Sequence, residues 1–478
     1  MKGLYSPQSV LDLLPPEPNT QGFRASIRET VLQAGRKIVV LDDDPTGIQT
    51  VHGINVYTSW DYATLSDMML EEEPLAFLIT NSRSLTSQGA RQLNTKIVST
   101  ILELGQKLDR EVIFISRSDS TLRGHYPLEV LVIQDLWEKA YGCKIDGHVI
   151  VPAFPEGGRF TVDDVHYVQE GDLLVPAGQT EFAKDPVFGY RSSDLKEWVQ
   201  EKSEGRWSSK EVLSLSLETI RSQGPSIVAQ YFEQVSGGKP VVVNAASYSD
   251  LDIVVQGLQR AEAAGKHFIY RTASSFPKVY GGIGDKPLLG AEDIYQKEEI
   301  KGSGGLVVVG SHVQRTNEQL IALKERGYKV LEIDVKRILD FHNGDGTELA
   351  DEICLEVERM LRSNQVAIVA TSREVIRGKS SEEDILISNE ISRYLTKLVE
   401  SLKVRPRFII GKGGITSSDV ATKGLGIKKA AVLGQVLPGV PVVRLGQETR
   451  FPGLPYVVFP GNVGSNQDLA NAVEILNG

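Results

Sequence analysis

Nine consecutive residues, Arg117-Ser118-Asp119-Ser120-Thr121-Leu122-Arg123-Gly124-His125, crowd arginine, aspartate and hydroxyl groups into one short stretch. Guanidinium forks grip carboxylates and phosphates through parallel hydrogen bonds, while aspartate and serine address hydroxyls. Together these types suit a small anionic polyol. A charged turn with a helix cap uses the same types and is the plainer alternative. The design recurs in Asp42-Asp43-Asp44-Pro45-Thr46-Gly47, in Thr80-Asn81-Ser82-Arg83-Ser84, and in Pro152-Ala153-Phe154-Pro155-Glu156-Gly157-Gly158-Arg159. Adjacent carboxylates are stable only when solvated, paired or bound to a cation. Asp43 and Asp44 therefore suggest a metal–phosphate site or a general base.

Each of these segments follows a short apolar run: 37–41, 75–79, 112–115 and 148–151. Such runs read as buried strands, and ligands bind at the carboxyl ends of strands in open α/β sheets. Helices are expected over 88–107 and 127–140, and strand–helix–strand alternation at this spacing predicts parallel βαβ units. Residues 184–210 are charged and serine-rich, and read as an excursion. Helices are expected over 210–222, 225–236 and 249–264, with strands at 240–245 and 267–270. A glycine-rich stretch without periodicity, 281–305, marks a boundary. The pattern then restarts, with strands at 306–309, 330–333, 366–370, 408–410, 441–444 and 456–459 and a helix over 382–402. The expected fold class is α/β: two α/β domains with mainly parallel sheets and an inter-domain cleft. The expected divisions are an N-terminal extension (1–36), a substrate-binding domain (37–280), a linker (281–305) and a nucleotide-binding domain (306–478).

In the second half, Gly411 to Asp419 carries the strongest local signal. Gly413 and Gly414 let backbone N–H groups approach a phosphate closely. Thr416 is expected to cap the following helix, with Asp419 three residues on. Its free N–H groups would then face the loop as an anion site. Ser311 and the glycine turn at 438–439 are further candidates for a nucleotide cradle. Two familiar alternatives fail. Gly378-Lys379-Ser380 resembles the end of a P-loop, but Arg373 stands where the first glycine is required. No GxGxxG follows any expected strand, which argues against a nicotinamide enzyme. His52, His125, His166 and His312 lack metal-ligand spacing and read as structural.

Composition narrows the classes. A 478-residue chain with 41% hydrophobic and 24% charged residues is globular and too long for one ordinary domain. A net charge of −10 argues against a nucleic-acid surface. The two cysteines, Cys143 and Cys354, fit a reduced cytoplasmic protein without structural zinc. No apolar run is long enough to span a membrane, and the N-terminus lacks the pattern of a secretory signal.

Taken together, the motifs Asp43-Asp44-Pro45-Thr46-Gly47, Asn81-Ser82-Arg83-Ser84, Ser118 to Gly124, Pro152 to Arg159, Gly413-Gly414-Ile415-Thr416 and Pro438-Gly439-Val440-Pro441 occur in the order of a known family. Over roughly residues 37–475 the chain resembles the four-carbon acid sugar kinase family, long known as a domain of unknown function. The resemblance implies a two-domain α/β kinase. Its N-terminal domain would hold a sugar acid and its C-terminal domain ATP, with phosphate passing to the terminal hydroxyl of a tetronate-like substrate. Carried over, the substrate residues are Asp43 or Asp44, Arg83, Arg117, Ser118, Asp119 and Ser120. The nucleotide residues are Ser311, Gly413, Gly414, Ile415, Thr416 and Gly439. Asp43 or Asp44 would act as base or Mg2+ contact, and Arg123 would face the transferring phosphate. The implied cofactors are ATP and Mg2+. The implied partner is a small sugar acid, with neither nucleic acid nor membrane, and a homo-oligomer is left open. The alternative reading is a catalytically silent regulatory protein that binds sugar acid and nucleotide.

Overall fold

The run Lys37–Asp42 is buried at every position, as are Leu75–Ile79 and Val112–Arg117. Strands covered on both faces must be apolar throughout, and such strands belong to parallel sheets. That is their arrangement in a computed structural model of the chain, which describes residues 5–44, 47–295, 303–340, 347–373, 376 and 381–478. The chain divides into two units, one of Met1–Gly47 and Trp60–Asp285, the other of Ile48–Ser59 and Lys286–Gly478.

In the first unit seven parallel strands lie in the order Leu75–Ile79, Lys37–Asp42, Val112–Arg117, Phe268–Thr272, Gly147–Val151, Lys239–Val243 and Leu213–Leu215. Helices Ser87–Lys107 and Leu128–Tyr141 fall where periodicity placed them. Thr86 caps the first of these by accepting from the Gly89 N–H. The helix expected over 210–222 is replaced by the strand Leu213–Leu215 and a π-turn at Thr219–Gln223, whereas the one expected over 225–236 forms as Gly224–Glu233. Leu-Ser-Leu is too short to show a period, and pairing with Val241–Val243 decides its state. The excursion at 184–210 contains the helix Leu195–Lys202, capped by Asp194 and anchored by the wholly buried Trp198. Before it lies an antiparallel ribbon of Arg159–Val162, Val165–Glu170 and Leu173–Pro176, which the sequence did not signal.

In the second unit the parallel strands run Val330–Ile333, Ala367–Thr371, Leu306–Val309, Ile409–Lys412 and Pro455–Phe459. Antiparallel strands Val440–Leu445, Lys429–Leu437 and Asn55–Tyr57 continue that sheet. Val307, Val309, Ile410 and Val457 form its core with Leu469 and Val473 of the last helix. Residues 48–59 join this unit because Asn55–Tyr57 pairs with Lys429–Ala431, and the Gly53 N–H reaches the Val432 carbonyl at 2.8 Å. Among the described residues no helix is long and apolar enough to cross a membrane.

Near the start of each parallel set the strand order reverses. Lys37–Asp42 lies between Leu75–Ile79 and Val112–Arg117, and Leu306–Val309 lies between Ala367–Thr371 and Ile409–Lys412. Chain connections leave such a strand in opposite directions, which opens a crevice beyond its carboxyl end.

Candidate functional site

In the first unit that crevice is bordered by the ends of Lys37–Asp42 and Val112–Arg117. Asp42 and Arg117 are register partners. Both side chains are buried and joined by an ion pair of 2.9 Å, and Arg117 Nη2 donates to Ser274 Oγ at 2.8 Å. Burial pushes the Asp42 carboxyl up to about 7; Arg117 opposes the shift and Asp43 adds to it. Asp43 is also buried. Its Oδ2 accepts from Ser118 Oγ at 2.6 Å, while its Oδ1 has no hydrogen bond among the described residues. Gly124 makes this pairing possible. Its φ is +120°, and a Cβ there would collide with Ser118 Oγ and stand 3.0 Å from Asp43 Oδ2. Pro45 and Thr46 of the same motif lie outside the described residues.

Beyond this buried layer stands an alternating chain of charges. Arg83 pairs with Asp44 and lies 3.5 Å from Asp119. Asp119 accepts from Arg123 Nε at 2.7 Å, and Arg123 lies 3.6 Å from Asp185. Burial alone would raise the Asp119 carboxyl, but Arg83 and Arg123 outweigh it and hold it well below the usual carboxylate range. Arg83 and Arg123 thus have acidic partners within the fold. Strand ends bring acids from separate loops against them, which the linear sequence does not show. These two guanidinium groups remain partly exposed, at 19% and 28%, whereas Arg117 is 6% exposed.

The Ser118–Arg123 turn is held from beneath by groups that were not counted among the site residues. Arg271 is buried and donates to the carbonyls of Asp119 at 3.3 Å and Arg123 at 3.0 Å. His166 Nε2 donates to the Ser120 carbonyl at 2.7 Å, and burial lowers its ring to about 4, so it is neutral. Tyr190 donates to the Thr121 carbonyl at 2.7 Å. Glu129 was also missed. It is buried, accepts from Ser82 Oγ at 2.6 Å, and is pushed up to about 7, first by burial and then by Asp43. An acid in the first turn of a helix reads as a complement to the helix dipole, so only its burial sets it apart.

In the second unit Val309, Lys412 and Phe459 end three neighbouring strands in register. Their loops bring Ser311, Gly413 and Gly461 together. A Cβ on Gly413 would stand 3.0 Å from Ser311 Cβ, and one on Gly461 would stand 3.1 Å from Ser311 Oγ. Arg373 Nη1 donates to the Ser311 carbonyl at 2.6 Å. Thr416 is not the helix cap. Gly413, with φ +111°, precedes the short helix Gly414–Asp419, and Thr416 lies buried within it. The backbone turn at Gly413 starts that helix three residues earlier than the capping pattern implied. A Cβ on Gly414 would meet nothing within 4 Å, and Ile415 is exposed. Gly439 sits in the tight turn between Lys429–Leu437 and Val440–Leu445, where a Cβ would lie 3.3 Å from Val463 of the loop after Phe459. Gly378-Lys379-Ser380 lies outside the described residues. Among the described residues no group of three or more His, Cys, Asp or Glu side chains is placed to hold a metal.

Residues 38–280 match the model of a sugar-binding N-terminal domain, and residues 306–469 match that of a nucleotide-binding C-terminal domain. The two matches define the class: a protein with a sugar-binding and a nucleotide-binding domain in one chain. Within that class the chain belongs to the four-carbon acid sugar kinase family, also described as DUF1537. A solved DUF1537 protein of Haemophilus influenzae is 17% identical, with a TM-score of 0.63 over 92% of this chain and 100% of its own. A Salmonella typhimurium LT2 protein, provisionally named a tRNA synthase, is 18% identical, with a TM-score of 0.66 over 91% of this chain and 98% of its own. At such identities the likeness is one of fold. No curated protein matches the chain.

Proposed function

We propose that this protein is an ATP-dependent kinase that phosphorylates the terminal hydroxyl of a four-carbon, tetronate-like sugar acid. One observation carries the reading: the strand-order reversals near the start of the two parallel sets carry different equipment. The first presents Asp43, Arg83 and Arg123 in a domain of sugar-binding type. The second presents Ser311, Gly413 and Gly461 in a domain of nucleotide-binding type.

ATP supplies the phosphoryl group and Mg2+ neutralises its phosphates; such an ion needs only one or two protein carboxylates. In this reading Asp44 is the Mg2+ contact. Asp43 takes the proton of the acceptor hydroxyl, since its Oδ1 is a buried acceptor without a hydrogen bond and Ser118 holds its other oxygen. Arg83 and Arg123 take the substrate carboxylate in place of one acidic partner each, and Arg123 also faces the phosphate in transfer. Arg117 acts through Asp42. Asp119 and Ser120 shape the turn, and Gly413 to Thr416, Ser311 and Gly439 border the nucleotide phosphates.

The test is incubation with ATP, Mg2+ and a panel of four-carbon sugar acids, with ADP and phosphate ester measured together. Ester formed from one of these acids supports the kinase. Binding of acid and nucleotide without ester would establish the catalytically silent protein instead, a reading favoured by the full pairing of the site arginines with acids.

A further inference from the structure

Lys412 ends the strand Ile409–Lys412, one residue before Gly413, and is wholly buried. Its Nζ donates to the carbonyl of Pro460 at 2.7 Å and approaches that of Gly461 at 3.2 Å. It also stands 4.1 Å from the centre of the Phe459 ring. Among the described residues no carboxylate forms an ion pair with it. An ammonium surrounded by carbonyl dipoles and a ring face alone is poorly compensated. Burial, and then Arg315, push the amine down to about 7, with Asp468 opposing them.

The carbonyls it grips belong to the loop that faces Ser311. Thr316 Oγ1 donates to the Gly461 carbonyl at 3.3 Å and lies within hydrogen-bond distance, 3.1 Å, of Ser311 Oγ. Lys412 thus ties the strand that leads into Gly413 to the loop that carries Gly461. It is a buried amine directly behind the loops that carry Gly413 and Gly461, and among the described residues no carboxylate pairs with it.

We propose that Lys412 is a positioning residue of the nucleotide site: it fixes the Pro460–Gly461 loop and carries the buried charge that bound phosphates neutralise, so that nucleotide binding takes up a proton on Lys412. The proposal rests on the reading of this crevice as the nucleotide site. The sign follows from linkage. A nearby phosphate favours the charged amine, so the complex titrates at higher pH than the free protein, and affinity declines as pH rises past about 7. The other charged groups that act on the amine are Arg315 on the helix Gln314–Glu325 and Asp468 on the last helix, while His312 and Arg373 stand beside Ser311. Carboxylates and guanidinium groups do not ordinarily titrate near pH 8. The His312 ring is lowered by burial and by Arg373, and is neutral there.

Calorimetry of the full chain with MgADP at pH 8, in buffers of different ionisation enthalpy, tests this, because ADP phosphates are already ionised. The expected result is uptake of close to one proton per nucleotide, and about tenfold weaker binding at pH 8 than at pH 6. Lys412→Met should bind at least about tenfold more weakly, as loss of a charge to phosphate does, and without the uptake. Lys412→Arg, charged at both pH values, should bind without taking up a proton. Wild-type binding with no uptake, or unchanged uptake in either variant, overturns the role of Lys412 and leaves the nucleotide site standing. Absence of MgADP binding to the wild type overturns both. If Lys412→Met does not fold, the wild-type uptake decides the matter alone.

Discussion

Ser118 Oγ donates to Asp43 Oδ2 at 2.6 Å, joining the ends of two neighbouring parallel strands. The bond fixes one carboxylate oxygen, and the other, Oδ1, has no hydrogen bond among the described residues. In the proposed role of Asp43 as base, a carboxylate held in this way is oriented before any substrate arrives, which is what efficient proton transfer requires.

The close approach at Gly124 can be tested directly. Gly124→Ala places a methyl group against Ser118 Oγ and Asp43, at a φ of +120° that side chains rarely adopt. The expected cost is about 1–3 kcal/mol of stability, with a marked loss of sugar-acid affinity. Thermal melts and calorimetry measure both, and wild-type values in each would refute the arrangement.

Asp43 and Asp44 are adjacent but not equivalent, one bonded to Ser118 and the other paired with Arg83. Asp43→Asn should lower turnover by about 10²–10⁴, as loss of a general base does. Asp44→Asn should have a milder effect, and sugar-acid binding should survive in both. Steady-state kinetics with equal activity in the two variants would contradict the assigned roles.

The three arginines should separate on stability. Arg117→Ala leaves Asp42 buried without its partner and should destabilise by about 3–5 kcal/mol. Arg83 and Arg123 stand nearer solvent, so alanine at either should shift stability by about 1 kcal/mol or less and weaken substrate binding. Denaturant titrations of the three variants decide this. A collapse of Arg83→Ala with normal affinity would make that arginine structural.

Glu129 supplies a pH signature. Its folded-state carboxyl is pushed up to about 7, first by burial and then by Asp43, while an unfolded glutamate titrates near ~4.3. Between these values the folded protein keeps a proton that the unfolded chain has released. Stability therefore falls as pH rises from about 4 to about 7, by at most about 1.4 kcal/mol per pH unit, and this contribution is flat above. Glu129→Gln should lose that slope. Unfolding free energies at pH 5 and pH 8 with the same difference in variant and wild type would rule it out.

Gly414 faces open space and has no left-handed φ. Gly414→Val should leave the melting temperature nearly unchanged and weaken nucleotide binding by about tenfold or more, by blocking backbone approach to phosphate. An unchanged ATP affinity would place the nucleotide elsewhere.

The strands and the loops at their carboxyl ends were legible in the sequence because apolar runs and glycine turns are local signals. Asp43, Arg83, Ser118, Arg123 and Gly413 were all singled out in this way as candidates, and the α/β class of the fold was legible from the same pattern. The charge partners were not. Arg117 meets Asp42 across 75 positions and Arg271 meets the Asp119 carbonyl across 152, and only the strand order brings them together. Residues 48–59 join the second unit through hydrogen bonds made nearly the length of the chain away. Thr416 looked like a cap because its side chain suits one, yet the φ of Gly413 starts the helix earlier. Residue type and period follow from neighbours along the chain. Burial, pairing and the charge state of Asp42, Glu129 and Lys412 depend on neighbours in space, which only the folded structure supplies.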